Sequence, residues 1–268
     1  MQKNRKKVLA ILKVAPPLTG ATAINQSIVD SQIKWPNGIL DFKTISYANS
    51  IQDLGSLKWT KFLKFFTFFF SILFQIIREK IDLLYFQMSI YGASFYRDST
   101  LLLVSKIFRK KVLVHLHGKG LKSYGERHAF YRFWIKWLLK DQSAIVLTES
   151  QKQDVLWIGF KEIFVIPNGI ESAQYVNANP TIHWRNPNTI GFIGRFAEPR
   201  KGLQVLIDAL PIISRFIPDV RVLIAGPGDS DEFVKGLDIG LRNRLAFLGF
   251  LTDAEKASFL KSVDVYVA

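Results

Sequence analysis

The feature that most constrains the fold of this chain is an alternation of short, apolar, β-branched runs with longer stretches of helical pattern. Residues 7–14 form the first such run, closed by Pro16-Pro17-Leu18-Thr19-Gly20, and residues 21–33 then read as a helix. Residues 81–87, 111–116 and 144–148 are further apolar runs with the character of buried strands, and residues 164–167 close the series. Strands alternating with helices predict a parallel sheet built from βαβ crossovers.

Residues 171–188 lose all periodicity and carry Asn177, Asn179, Pro180, Asn186, Pro187 and Asn188, a linker composition. A second series follows. Residues 189–193, 220–225, 246–248 and 263–268 read as strands. In the helix expected over 203–215, Leu203, Leu206, Ile207 and Leu210 share one stripe at i, i+3, i+4 and i+7. The expected organisation is a first domain over 1–170, a linker over 171–188 and a second domain over 189–268. The second stretch is short for a doubly wound sheet and stops inside a strand pattern, which predicts an incomplete domain from a longer protein.

Charge is distributed unevenly between the two halves. Residues 1–140 hold 23 Lys and Arg against 7 Asp and Glu, a balance of +16, whereas residues 141–268 hold 13 against 15, a balance of −2. A field of that kind favours an anionic partner such as a phosphorylated substrate, an anionic membrane surface or nucleic acid. The chain has no Cys, which excludes disulfide scaffolds, thiolate metal sites and a Cys nucleophile. The apolar run after the basic residues 3–7 is too short for a signal peptide, so a cytoplasmic location is expected.

Two segments combine apolar and basic character. Residues 62–77 contain seven Phe and are apolar on nearly every face, with Lys58, Lys61 and Lys64 leading in. Sixteen helical residues span only about 24 Å, short of a hydrocarbon core, and burial in the protein is the favoured expectation there. Residues 127–140 read as one helix with a stripe of His128, Arg132, Lys136 and Lys140. Phe130, Phe133, Trp134 and Trp137 lie beside that stripe. Such a face suits either an anionic membrane surface or a solvated helix side. Arg127, Arg132, Lys136 and Lys140 are the candidate acceptor and membrane residues.

Four segments carry a family resemblance. They are the Pro16–Ala21 turn, His115-Leu116-His117-Gly118 after a mid-domain strand, and Val165-Ile166-Pro167-Asn168-Gly169-Ile170. The last combines Gly194-Arg195 and Lys201-Gly202 with the Gly226-Pro227-Gly228 and Phe247-Leu248-Gly249 turns. In this order and spacing the chain resembles family 4 retaining glycosyltransferases of the GT-B fold. Its N-terminal pattern is similar to bacterial enzymes that build capsular or other surface polysaccharides. The resemblance implies an α/β fold of two Rossmann-like parallel-sheet domains, the second incomplete here. It also implies transfer of a sugar from a nucleotide-diphosphate donor to a lipid-linked or saccharide acceptor at the inner face of the membrane. No metal or other cofactor is implied beyond the nucleotide sugar, and no nucleic acid partner.

In such a transfer negative charge grows on the leaving diphosphate, and fixed cations and backbone donors must meet it. Arg195 follows a strand and Lys201 begins the next helix, both at the edge where parallel sheets bind ligands. The resemblance assigns both to the diphosphate, with Arg200 as a helper. It places His117 near the reacting sugar, together with Arg195 and Lys201 as the catalytic set. His115, two residues earlier and inside the strand, reads as a satisfied core histidine. Gly20, Gly194, Gly226 and Gly228 are expected where backbone approaches the donor. By resemblance Gly249, Phe250 and Leu251 lie near the nucleobase.

The family's pair of Glu spaced seven apart after the last strand is not in this sequence, which predicts little turnover from these 268 residues alone. Three rival readings stay open. A GT-B-fold sugar-nucleotide epimerase would share the fold and release free nucleotide. A non-catalytic membrane- or partner-binding subunit would keep only the first domain's surface. A basic nucleic-acid binder is permitted by charge, but no helix-turn-helix, zinc or RNP-like pattern supports it.

Overall fold

A computed structural model of the chain describes residues 5–17, 19–31, 38–46, 59–90, 92–169, 173–176 and 188–267. Two compact units divide it, Met1–Gly169 and Ile170–Ala268. The first contains β1 (Lys6–Lys13), α1 (Gly20–Asp30), β2 (Gly38–Ile45), α2 (Trp59–Arg78), β3 (Leu83–Met88) and α3 (Gly92–Ile107). It continues with β4 (Lys111–Leu116), α4 (Leu121–Arg127), α5 (Ala129–Leu139), β5 (Ser143–Val146), α6 (Glu149–Val155) and β6 (Glu162–Val165). Its six strands are all parallel, in the order β2-β1-β3-β4-β5-β6.

The second unit contains α7 (Ala173–Val176), β7 (Thr189–Ile193), α8 (Leu203–Phe216), β8 (Arg221–Ala225), α9 (Asp231–Val234) and α10 (Ile239–Arg242). β9 (Leu245–Gly249), α11 (Asp253–Ser262) and β10 (Val265–Val267) complete it. Its four parallel strands run β10-β7-β8-β9. Most of the expected linker and Ala268 lie outside the described residues.

The apolar runs are buried because helices cover both faces of each sheet. Leu9, Leu12, Val114, Leu116, Ala144 and Val146 are sealed from solvent. In the second unit, alternate residues of β8 serve opposite layers. Val222 and Ile224 pack with Leu203, Leu206, Ile207 and Leu210 of α8, while Leu223 and Ala225 pack with Leu251 and Phe259. The expected apolar stripe of α8 is its buried face.

Three elements differ from the sequence expectation. β2 was not expected, because its Asp41, Lys43 and Thr44 interrupt any apolar run; it is an edge strand with one partner, β1. The helix expected over 127–140 is present as α5, Ala129–Leu139, and the short α4 before it was not expected. His128 between them has non-helical backbone (φ −130°, ψ 89°), and α4 begins where the buried Asp154 carboxylate accepts the N–H groups of Gly120, Leu121 and Lys122. Arg127 therefore ends α4, Arg132 and Lys136 lie on α5, and Lys140 is its C-cap.

The third difference is the Phe-rich segment, which is not buried all round. Ile72 and Ile76 of α2 enter the core with Phe65, Phe68, Phe69 and Leu73 against it. Trp59, Phe62, Phe66, Phe70, Phe74 and Ile77 form an exposed stripe along the opposite face. One face of α2 serves the core of the first unit, and the other is left exposed. Among the described residues no helix is long and apolar enough to cross a membrane.

Candidate active site

Parallel sheets bind ligands at the carboxyl ends of their strands, where the strand order reverses. In the six-stranded sheet the chain leaves β1 toward β2 and leaves β3 toward β4, so the reversal lies between β1 and β3. In the four-stranded sheet β8 and β9 lie on one side of β7 and β10 on the other, so the carboxyl end of β7 borders the reversal. The candidate residues of each unit collect at these edges.

In the second unit Gly194 and Arg195 follow β7 directly. Three loops are bonded together there. The Gly194 N–H donates to the Ala225 carbonyl (2.9 Å), that of Phe196 to Pro227 (3.1 Å) and that of Gly226 to Gly249 (2.7 Å). Gly226 has a φ of +137°, and a Cβ on it would stand 1.9 Å from the Gly194 carbonyl oxygen. Gly228 lies against the Phe196 side chain, with its would-be Cβ 2.4 Å from the Phe196 Cβ. Gly226 is required by the approach of backbone to backbone, and Gly228 by the phenylalanine packed on it. Gly226→Ala is accordingly expected to destabilise the second unit by about 3 kcal/mol, from combined clash and backbone strain. Urea unfolding checks this, and an unchanged midpoint would show that the loops separate freely.

Arg195 presents a buried Nε with no hydrogen-bond partner. A buried donor left unpaired is costly, and a ligand oxygen would satisfy it. Lys201 ends a 3₁₀ turn (Pro199–Lys201), is exposed, and its stem runs beside Gly194. Gly202 then opens α8 with no side-chain cap, leaving first-turn N–H groups without an intrahelical acceptor. The Arg200 side chain lies outside the described residues. Of the pair expected near a base, Phe250 is exposed, whereas Leu251 is buried and its side chain is committed to core packing.

In the first unit His115 lies within β4 and His117 just beyond it, with their rings 4.1 Å apart. His115 Nδ1 stands 2.5 Å from the Tyr85 hydroxyl, but its buried Nε2 has no partner, so the expectation of a fully satisfied core histidine holds for one nitrogen only. His117 Nε2 is also buried and unpartnered. Burial pushes both imidazoles down to about 4, helped by repulsion from His117 at His115 and from Lys13 at His117. Both rings are neutral at pH 7. Gly20 does not end a strand as expected. It is the first residue of α1, after the Thr19 cap that pairs with Thr22, and the space beside its Cα is open.

Sequence reasoning missed the polar groups beside these histidines. Lys13, the last residue of β1, pairs with the buried Asp98 carboxylate and donates to the Ser89 hydroxyl (2.7 Å). Asp98 also pairs with Arg97 (2.8 Å) and accepts the Ser89 N–H (2.8 Å). Buried Asn25 donates to the Lys13 carbonyl (2.7 Å) and to Gln87 Oε1 (2.6 Å), tying α1 to β1 and β3. The available signal was charge out of place: a lysine closing a buried strand and an aspartate inside an apolar helix.

The basic residues named for an acceptor or membrane, Arg127, Arg132, Lys136 and Lys140, are exposed, as are Phe130, Phe133 and Trp137 beside them. The Arg132 guanidinium lies over the Trp157 ring at 5.6 Å.

Comparisons with known proteins agree with this architecture. Residues 187–268 match the family model described as glycosyl transferases group 1. A phosphatidyl-myo-inositol mannosyltransferase of Mycobacterium tuberculosis is 44% identical over 104 residues, which is 38% of this chain and 27% of the relative's own length. Anabaena HepE, solved in complex with UDP-glucose, is similar over 97% of this chain and 72% of its own, with a TM-score of 0.61 at 16% identity. A UDP-GlcNAc 2-epimerase from Neisseria meningitidis is similar over 97% of this chain and 74% of its own, with a TM-score of 0.55 at 11% identity. The chain therefore has the α/β, parallel-sheet fold of the GT-B glycosyltransferases, and its residues 187–268 are similar to the glycosyl transferases of group 1.

Proposed function

We propose that the protein is a retaining, metal-independent glycosyltransferase. It moves a sugar from a nucleotide-diphosphate donor to a lipid-linked acceptor in the assembly of surface glycans, capsular ones among them. The observation that carries this reading is the buried, unpartnered Nε of Arg195 at the carboxyl end of β7, beside the uncapped start of α8. That pairing of a fixed cation with free backbone donors is what a leaving diphosphate requires. Lys201, and Arg200 with it, would add charge at the same edge, with Gly226, Gly228, Gly249 and Phe250 around the nucleotide. His117 would meet the reacting sugar as a neutral group.

The test follows the products of the whole protein supplied with isotopically labelled nucleotide sugars and a membrane extract as acceptor source. Transfer of label into a lipid-extractable glycoside with the donor's anomeric configuration, persisting in the presence of EDTA, is expected. Free sugar with nucleoside diphosphate and no glycoside would favour the epimerase reading, which the shared fold also permits.

A lipid-linked acceptor requires work at a membrane surface. The exposed Trp59, Phe62, Phe66, Phe70 and Phe74 stripe of α2, and the aromatic and basic face of α5, support that reading. Aromatic side chains enter the interface, and each nearby Lys or Arg contributes about 1 kcal/mol at an anionic surface. The chain is expected to float with phosphatidylglycerol vesicles. Phe62→Ser with Phe66→Ser and Phe70→Ser should reduce the bound fraction by about tenfold or more, and Arg132→Gln with Lys136→Gln should remove the preference for anionic lipid. Equal flotation of all three proteins would remove the membrane from this reading.

A further inference from the structure

Gly118, directly after His117, does not adopt the left-handed backbone that favours glycine. What fills the place of a side chain there is Ile90, which follows β3. A Cβ on Gly118 would stand 2.4 Å from the Ile90 δ-methyl and 3.2 Å from its Cγ1. The backbone leaving β4 is therefore pressed against one isoleucine, at the point where His117 holds a buried Nε2 without a partner.

Ile90 is itself held from two directions. Its carbonyl accepts the Tyr131 hydroxyl of α5 (2.5 Å). Ser89, just before it, donates its N–H to Asp98 (2.8 Å), and its hydroxyl accepts the Lys13 ammonium (2.7 Å). Tyr131 is sealed from solvent, with its ring 4.5 Å from that of Phe95 in α3 and 4.7 Å from that of Tyr124 in α4. Burial raises its phenol above the ordinary value of 10, so it stays protonated and donates. A phenylalanine would pack as the ring does; the hydroxyl adds a fixed point for the Ile90 backbone.

A group that meets a reacting atom has to be held to within about 0.5 Å by neighbours whose own positions are locked. We propose that Ile90 and Tyr131 are positioning residues for His117: the Tyr131 hydroxyl fixes the Ile90 backbone, and the Ile90 side chain seats Gly118 and so sets where the imidazole stands. This deepens the transferase reading above and rests on it for the role of His117 at the reacting sugar; the brace itself stands on the contacts. Both residues act through His117.

The test uses the full chain labelled with ¹⁵N at its four histidines, with the His117 signals assigned by their loss in His117→Gln. Tyr131→Phe is expected to move the His117 imidazole signals. Gly118→Ala should move them as well, because the Ile90 δ-methyl has to turn aside. Adding Ile90→Val, which removes that methyl, should bring them most of the way back. Loss of any buried hydrogen bond lowers stability, so thermal unfolding serves here only to show that each variant is folded. In the sugar-transfer assay, Tyr131→Phe and Gly118→Ala should each lower kcat by about tenfold or more with the donor KM within about twofold, and Ile90→Val should restore the second. The Gly118→Ala and Ile90→Val pair reports even where Tyr131→Phe fails to fold.

Unmoved His117 signals in the folded variants would overturn the brace. So would a Gly118→Ala effect that Ile90→Val leaves in full, since the glycine would then make room for something other than Ile90. Signals that move with an unchanged kcat would overturn the link to the reaction. Signals that move and are rescued in a protein that transfers no sugar would refute the transferase reading and leave the brace standing.

Discussion

Arg195→Gln is expected to weaken the binding of UDP or GDP to this chain by about 10- to 100-fold while leaving its folding stability equal or higher. The affinity loss follows from removing a fixed guanidinium from a diphosphate, where a charge-assisted hydrogen bond is worth about 1.5–3 kcal/mol. The stability gain follows from the free protein. Arg195 Nε is buried without a partner, a state that costs about 1–3 kcal/mol, and Gln does not place that guanidinium there. A structural arginine would behave the opposite way, since its removal would destabilise the fold. Titration calorimetry and thermal unfolding on the same two proteins decide between these outcomes. Loss of stability with affinity intact would take Arg195 out of the donor site, and with it the observation on which the transferase reading rests.

Acid is expected to loosen the first unit between pH 6.5 and pH 4. His115 and His117 are held near 4 by burial against an ordinary value of 6.5, so in that window the unfolded chain binds protons that the folded chain refuses. Stability is complete above pH 6.5 and falls as pH drops toward 4. One imidazole accounts for about 3 kcal/mol at most, and the pair for less than double, because part of the His115 effect is repulsion from a charged His117.

The groups around them are Tyr85 from β3, Lys13 from β1 and Asp98 with Arg97 from α3. Burial would raise the Asp98 carboxyl, but Lys13 and Arg97 outweigh it and hold it below the ordinary 3.8, so its own loss begins under the histidine window. For a unit of this size, the effect is a fall in Tm of roughly 6–12 °C from pH 7 to pH 4.5. His115→Gln with His117→Gln should flatten the profile. A double variant with the same acid slope as the parent would place the titrating groups elsewhere.

Much of the architecture was legible because it depends on local pattern. The runs over 7–14, 81–87, 111–116 and 144–148 fall on β1, β3, β4 and β5, and the stripe Leu203, Leu206, Ile207 and Leu210 is the buried face of α8. Hydrophobic periodicity reports which faces must leave water, and that requirement is carried by neighbouring residues alone. Where the pattern was mixed it failed. β2 carries Asp41, Lys43 and Thr44 and is a strand because β1 offers it an edge. α4, just before the helix expected over 127–140, went unread because its start is set by Asp154, far along the chain, which accepts the N–H groups of Gly120, Leu121 and Lys122.

The candidate sites divide in the same way. Gly194, Arg195, Lys201, Gly226, Gly228, His115 and His117 could be named from short motifs at predicted strand ends or, for Lys201, at the start of the following helix. What they do in the fold was not legible. That Gly226 is obliged by the carbonyl of Gly194, that Leu251 is core while Phe250 is surface, and that one face of α2 stays bare are facts of packing. Lys13 and Asp98, 85 residues apart, read as stray charges in apolar elements. Sequence by itself determined the alternation of strand and helix, the basic first half and the motif order, because these depend on composition and spacing. Only the tertiary structure decided which charges are paired and which polar atoms are left without partners, because burial and electrostatic pairing depend on distances between residues remote in the chain.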